Sequence, residues 1–397
     1  MKLHKFDARL VVLAVAMQVA TRLIAAEGGS TNLNPRATSP DPSFRNEIQR
    51  AIDRGLAWLQ TNQSPAGWWS APDQPALTAL ALLAFKGEPG GRYQASEPDW
   101  LKRGYACILR DVQPDGGIHH SNLVTYNTAL CMMALLAANK PDYEPILLRA
   151  RQFLVRLQVD LGEKGKTDTV FDGGVGYGTQ YEHSDMGNTT AALEALHYSR
   201  RLIEDKNPAE ARDLNWAAAV SFLQNCQNLP GSNKQDWASD DLRYRGGFIY
   251  YPGHSMAGSE TNAATGRVAL RSYGSISYAG LLSYIYANLR RDDPRVLAVF
   301  GWLQKNYTLD ENPGMGPQGL YYYFHTMAKA LSAYGAGDLE LQSGQKVNWR
   351  RDLAMKLINL QRGDGSWFND NGRWWEKDPA LVTAYAVLAL EMMCRGL

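Results

Sequence analysis

Three short stretches of this 397-residue chain set groups able to do chemistry beside apolar sequence. Asp185 opens the segment SDMGNTTAALEAL, His325 follows the aromatic run Tyr321, Tyr322, Tyr323 and Phe324, and Asp378 stands three residues after the pair Trp374-Trp375. Tyr278 adds a phenol. Carboxylates next to aromatic faces can protonate or stabilise a carbocation, and paired carboxylates between aromatic platforms can cleave a glycosidic bond. Each role has a plainer counterpart. An aspartate at a helix start caps free N–H groups, and a histidine in an apolar helix is a packed core residue. Both readings stay open for Asp185 and His325. Other stretches carry less. GGVGYG (Gly173 to Gly178) has no strand before it and lacks dinucleotide spacing, so it reads as a tight loop. His119-His120 reads as a surface turn, and Cys107, Cys131, Cys226 and Cys394 are too widely spaced for a disulfide scaffold or a zinc module.

The elements that position these residues come from an internal repeat. An aromatic or aliphatic residue, an aliphatic one, three variable residues and a glutamine recur as Trp58-Leu59 to Gln63, Ile108-Leu109 to Gln113, Phe153-Leu154 to Gln158 and Phe222-Leu223 to Gln227. Degenerate copies end at Tyr307 and Gln361. Each copy closes a segment such as FRNEIQRAIDRGLAWLQTNQ, apolar on one face at helical spacing, and is followed by a Gly-rich loop. A segment such as PALTALALLAF or LVTAYAVLALEMM comes next, apolar nearly all round and so fully buried. Gly87 provides a C-terminal stop for the first of these. The pattern predicts six amphipathic outer and six apolar inner helices. The repeat positions lie 50, 45, 69, 80 and 54 residues apart, too long and uneven for an open helical solenoid, so a closed (α/α)6 ring is expected as one domain over 43–397.

Residues 1–26 carry Lys2, Lys5 and Arg9 ahead of the apolar run LVVLAVAMQVA and end on Ala25-Ala26, which reads as a secretory signal; 27–42 is a Gly/Ser/Asn/Pro linker. The protein is expected to be exported, periplasmic or secreted. No segment is long and charge-free enough for a transmembrane helix, and 41 Lys plus Arg against 40 Asp plus Glu leave no basic excess to hold nucleic acid.

Two loops carry a family resemblance. QSPAGWW, with Gln63, Gly67 and Trp69, and QRGDGSW, with Gln361, Gly365 and Trp367, resemble the Gln-x3-Gly-x-Trp motif of squalene and hopene cyclases. The six-repeat plan is similar to the β subunit of protein prenyltransferases. Together these resemble the terpenoid cyclase and prenyltransferase α/α toroid family over about residues 43 to 397. The resemblance implies that these Gln, Gly and Trp residues are structural, with glutamine tying helix ends together and tryptophan stacking beside them. It also implies an apolar isoprenoid-like substrate in a central cavity. The class II cyclase signature, Asp-x-Asp-Asp-Thr-Ala, has its first aspartate at Asp185, but Gly187 and Asn188 stand where the second and third belong. The usual proton donor is absent, and Asp185 is expected to be an anionic helix cap. The prenyltransferase zinc histidine corresponds to His325, followed by Thr326, yet Tyr273-Gly274-Ser275 replaces the Asp-Gly-Cys that supplies the other ligands. No metal and no cofactor is therefore expected.

These readings leave three functions: an isoprenoid-binding or isoprenoid-converting toroid with degenerate catalytic motifs, an exported non-catalytic toroid binding a lipid, glycan or protein, and a polysaccharide-cleaving enzyme using Asp185, Asp378 and Trp374-Trp375. A bound ligand is expected at the loop end, near Asp185, His325, Tyr278 and Asp378, because the starts of all inner helices meet on one face of a closed ring. There Tyr321 to Phe324 offer aromatic surface.

Overall fold

The computed structural model describes residues 41–397, apart from 95, 121, 163, 165, 179–182, 205–211, 262–265 and 267. The signal segment 1–26 and nearly all of the 27–42 linker lie outside the described residues. Twelve α-helices follow in order: α1 (Pro42–Thr61), α2 (Pro75–Gly87), α3 (Asp99–Arg110), α4 (Val124–Ala138), α5 (Glu144–Arg156), α6 (Met186–Tyr198), α7 (Trp216–Asn225), α8 (Gly274–Tyr286), α9 (Pro294–Lys305), α10 (Leu320–Tyr334), α11 (Trp349–Leu360) and α12 (Pro379–Arg395). Two small antiparallel hairpins interrupt them. In one, β1 (Ser259–Thr261) pairs with β2 (Val268–Leu270), Ser259 opposite Leu270; in the other, β3 (Leu339–Glu340) pairs with β4 (Lys346–Val347).

The helices alternate as their sequences require. In α1 the buried residues Phe44, Ile48, Ile52, Leu56 and Leu59 share one face, whereas α2 is buried on nearly every side from Pro75 to Lys86. The even-numbered helices form a closed inner ring: α2 packs on α4, α4 on α6, α6 on α8, α8 on α10, α10 on α12, and α12 returns to α2. Odd-numbered helices sit outside, α3 against α2, α5 against α4, α9 against α8, and α1 against α12. The fold is the all-α double ring.

Two local expectations are corrected. Gly87 is the last residue of α2 rather than a stop beyond it; a Cβ there would lie 2.0 Å from the Glu391 carboxylate of α12, so glycine is required by close approach between helices. Tyr278 and His325 were expected at helix starts. They lie a turn inside α8 and α10, because the run Tyr321 to Phe324 is itself the first turn of the helix.

One stitch recurs around the ring. The Gln63 amide donates to the carbonyls of Gly67 (2.8 Å) and Trp100 (2.9 Å), the second lying in the next outer helix. Gln158 does the same with Gly173 and Asn215, Gln227 with Gly246 and Arg295, and Gln361 with Gly365 and Ala51. The last pair joins the sixth repeat to α1. Gln113 departs, donating within its own loop to Asp111 and His119. A second bond recurs one layer inward. The backbone N–H of Trp69, Ile118, Val175, Phe248 and Trp367 donates to the hydroxyl of Thr78, Thr128, Thr189, Ser277 and Thr383 respectively, each on an inner helix. Trp69 and Trp367 are fully buried, and their indoles donate to Leu59 O and Leu357 O.

Candidate functional site

The N-terminal ends of the inner helices gather at one end of the ring, and each is held by the next repeat. Asn127 of α4 accepts from Ala76 N of α2, Tyr250 O accepts from Met186 N of α6, and Asn312 accepts from Ser275 N of α8. At α10, whose own cap position is Gly319, the buried Glu376 carboxylate of the sixth repeat accepts from Tyr321 N (3.2 Å) and Tyr322 N (2.7 Å). Ser70 of the first repeat donates to Asp378, the N-cap of α12. Free amides at the starts of α2, α6, α8 and α10 thus find acceptors on the neighbouring hairpin.

Asp185 is the N-cap of α6 and fully buried. One carboxylate oxygen accepts from Asn188 N (2.9 Å) and the other from the Asn188 side chain (2.7 Å). Burial pushes its pKa up, and the Asn188 hydrogen bonds oppose that rise without cancelling it. Desolvation thus works against the anionic cap expected from the helix end, while the Asn188 hydrogen bonds favour it. Tyr250 borders this carboxylate, and its hydroxyl lies 3.0 Å from that of Tyr177. Asp378 accepts from Ala380 N and Leu381 N at the opposite side of the ring. Of the aromatic run, Tyr321, Tyr323 and Phe324 are buried in packing; Tyr323 donates to Thr308 O and its ring lies 5.7 Å from that of Tyr278. Trp374 and Trp375 remain 41% and 48% exposed at the rim, both at positive φ. Asp185 and Asp378 thus cap helices on opposite sides of the ring, and Tyr278 packs on Tyr323.

The structure builds a different cluster on the ring axis. On α4 the residues Tyr126, Leu130, Met133 and Ala137 keep accessible surface at helical spacing while most of their neighbours are buried. A helix enclosed by the ring can keep such a stripe only toward the axis. Contacts across the axis support this. The hydroxyls of Tyr126 (α4) and Tyr385 (α12) lie 3.0 Å apart, although α2 separates those helices in the ring. Glu194 (α6) and Lys329 (α10), separated by α8, form an ion pair at 2.8 Å with both side chains largely buried. His325 lies between Tyr322 and Lys329 on α10, is 6% exposed, and stacks on Tyr385 with ring centres 5.2 Å apart. Its Nδ1 is buried without a hydrogen-bond partner. Burial, with a smaller contribution from Lys329, holds the imidazole well below its ordinary pKa and so neutral.

Among the described residues, no three His, Cys, Asp or Glu side chains gather as a metal site. The donors of the zinc alignment do not fit that ion. Tyr273 is buried at the start of α8, the Ser275 hydroxyl is held by Asn312, and His325 is stacked on Tyr385. The four cysteines are buried free thiols. No described helix is long and apolar enough to cross a membrane. A hollow of about 1010 Å³ on the outer wall, lined in part by Gln224, Leu242, Arg295, Leu297 and Trp302, contains none of the residues expected in a site.

Sequence reasoning missed Tyr126, Tyr385, Glu194, Lys329 and Glu376. The signal for two of them was present: Glu194 in TTAALEAL and Lys329 in FHTMAKAL are charges within otherwise apolar inner helices, a placement that requires a partner.

This architecture, with its aromatic axis, is the terpenoid-cyclase-like α/α toroid. No family model matches the chain. A terpene cyclase/mutase from Nectria sp., NtnI, is 29% identical over 157 residues, covering 34% of this chain and 20% of that protein. The chain thus spans about a fifth of the length of the curated relative it matches. Among solved structures, the type II terpene cyclase MstE from Scytonema superposes with a TM-score of 0.54 at 14% identity, over 89% of this chain and 99% of that one. A variant of the same cyclase in complex with geranylgeranyl dihydroxybenzoate reaches 0.52 at 12% identity, over 90% of this chain and all of that one. The GH76 α-mannanase BT2949 of Bacteroides thetaiotaomicron also reaches 0.54, at 10% identity, over 90% and 99%.

Proposed function

We propose that this toroid binds an isoprenoid-like apolar molecule along the ring axis and does not cyclise it. The observation that carries the reading is the stripe Tyr126, Leu130, Met133 and Ala137 on an inner helix of a closed ring: partly accessible apolar and aromatic surface suits a hydrocarbon. Cyclisation by the family route needs an acid aimed at an alkene. Asp185 has both oxygens engaged by Asn188, and Gly187 occupies the place of the second aspartate. The likeness to an α-mannanase is one of fold. A polysaccharide-cleaving site needs two carboxylates facing substrate, and Asp185 and Asp378 both cap helices, so the apolar ligand is preferred. The signal-like segment 1–26 supports export as part of the same proposal.

The test is equilibrium binding of squalene and of geranylgeranyl compounds to the purified protein, with Leu130→Trp and Met133→Trp to fill the axis. We expect each variant to lose at least about tenfold in affinity with thermal unfolding unchanged, about 1.4 kcal/mol per tenfold, and the ligand to be recovered unaltered by mass spectrometry. Undiminished binding by both well-folded variants refutes the axial site. A cyclised product refutes the non-catalytic half.

A further inference from the structure

The loop glycines mark equivalent stations on the outer helices. A Cβ on Gly365, Gly67 or Gly116 would lie 2.6 Å from the carbonyl oxygen of Arg54 (α1), Arg103 (α3) or Arg149 (α5), three exposed arginines, and on Gly246 it would meet that of Ala298 (α9). The fifth outer helix thus sets a small apolar residue where the first three set a cation. Beside Ala298 the outward stripe of α9 is Pro294, Leu297 and Gly301, with Leu297 51% exposed. Gly301 stands in the helix interior, where glycine is unfavourable, yet no other group of the described chain comes within 4 Å of the place a Cβ would take. This face lines the hollow of about 1010 Å³ together with Trp302 and with Leu242, which is 72% exposed.

The charges of the hollow do not balance. Arg245 lines it, is exposed, and has no hydrogen-bond or ion-pair partner for its guanidinium among the described residues. Lys305 gives its ammonium only to a neutral acceptor, Leu242 O, at 2.8 Å. The lining carboxylate, Asp293, is already held by two nitrogens of Arg295 at 2.9 and 2.6 Å. Glu340 lines only the adjoining hollow of about 470 Å³.

We propose that the outer wall carries a binding site separate from the ring interior, for a fatty carboxylate whose acyl chain lies along α9 over Gly301, between Leu242 and Leu297, and whose head pairs with Arg245. The guanidinium fork matches a carboxylate in two parallel hydrogen bonds, and removing the chain and both leucines from water favours the complex. A helix of 12 residues, about 18 Å long, is long enough for an extended dodecyl chain. Charge selects the head: an alkylammonium would meet Arg245 and Lys305 and find Asp293 taken. A second copy of this face would bring two more unmatched cations to the same hollow, so self-association is disfavoured.

The test is calorimetric titration of the purified protein, below micelle concentrations, with dodecanoate, with dodecylammonium of opposite charge, and with acetate, which keeps the head without the chain. We expect dodecanoate to bind at least about tenfold more tightly than either of the others. Arg245→Gln should erase its advantage over dodecylammonium, and Leu297→Asp should weaken dodecanoate at least about tenfold, both with thermal unfolding unchanged because both side chains are exposed. Leu130→Trp, on the inner ring, should leave dodecanoate binding as it is, which separates this site from the axial reading. Equal or tighter binding of dodecylammonium overturns the proposal, as does a dodecanoate advantage that survives Arg245→Gln or Leu297→Asp, or one lost only in Leu130→Trp. A concentration-dependent dimer in sedimentation that Leu297→Asp dissolves would show that a second copy covers the hollow, and overturns it too.

Discussion

Glu391 of α12 is 1% exposed, with one carboxylate oxygen unpaired and Arg395 3.8 Å from the other. Burial pushes its pKa well above the ordinary carboxylate range; Arg395 opposes the rise and Glu88 adds to it. A carboxyl whose folded pKa exceeds its unfolded value binds its proton more tightly when folded. Its contribution is most favourable below the unfolded pKa, near 4.5, and is lost as pH rises through the folded pKa. Glu391→Gln should therefore raise stability more at pH 7 than at pH 4, as read from urea midpoints at the two values; an equal change at both would place the titration elsewhere. The lone charge in LALEMM is visible in the sequence, as at Glu194 and Lys329, but the neighbour it meets, Gly87, is brought to it only by the closed ring. Glu376 was hidden for the same reason: its partners Tyr321 and Tyr322 lie 55 and 54 residues away. The repeated glutamines were legible because their recurrence is local, and a residue acting through a distant repeat leaves no such trace.

The alternation of half-buried and fully buried helices was plain in the sequence because periodicity reports burial directly. The loop stitches were only partly visible. Gly67 and Gly365 sit four residues after their glutamines, whereas Gly173 and Gly246 follow Gln158 and Gln227 by 15 and 19 residues. The insertions hide an unchanged geometry. Each of these glycines has positive φ, and an added Cβ would approach a carbonyl oxygen of the next outer helix, 2.6 Å from Arg54 O at Gly365. Gly365→Ala should cost about 1–3 kcal/mol or more, since strain and collision add. Gly162→Ala is the control, with φ +71° and nothing within 4 Å, and should cost about 1–2 kcal/mol at most. Equal losses in chemical denaturation would mean that the loop relaxes away from its neighbour. The candidate site was least legible at this level. The positions of Tyr278 and His325 shifted inward by one helical turn, and that shift sends one into packing on Tyr323 and the other onto the axis.

A ring whose last hairpin is joined to its first by the bond that also recurs at Gln63, Gln158 and Gln227 has no weak terminal repeat. The bond from Gln361 to Ala51 O spans 310 residues, while its counterpart from Gln63 to Trp100 O spans 37. In an open array the chain can add one unit at a time, each gaining contacts as soon as it forms. Here the closing contacts require the ends of the ring to meet after nearly all the chain has been ordered, so their reward arrives last. Loss of the seam stitch should therefore show on the unfolding side. In stopped-flow chevrons Gln361→Ala is expected to accelerate unfolding with refolding little changed, whereas a comparable slowing of refolding would place closure before the barrier. The seam then acts as a latch in time: once shut, it makes escape from the folded ring slow, and the lifetime of the closed state, more than its equilibrium stability, is what the sixth repeat contributes.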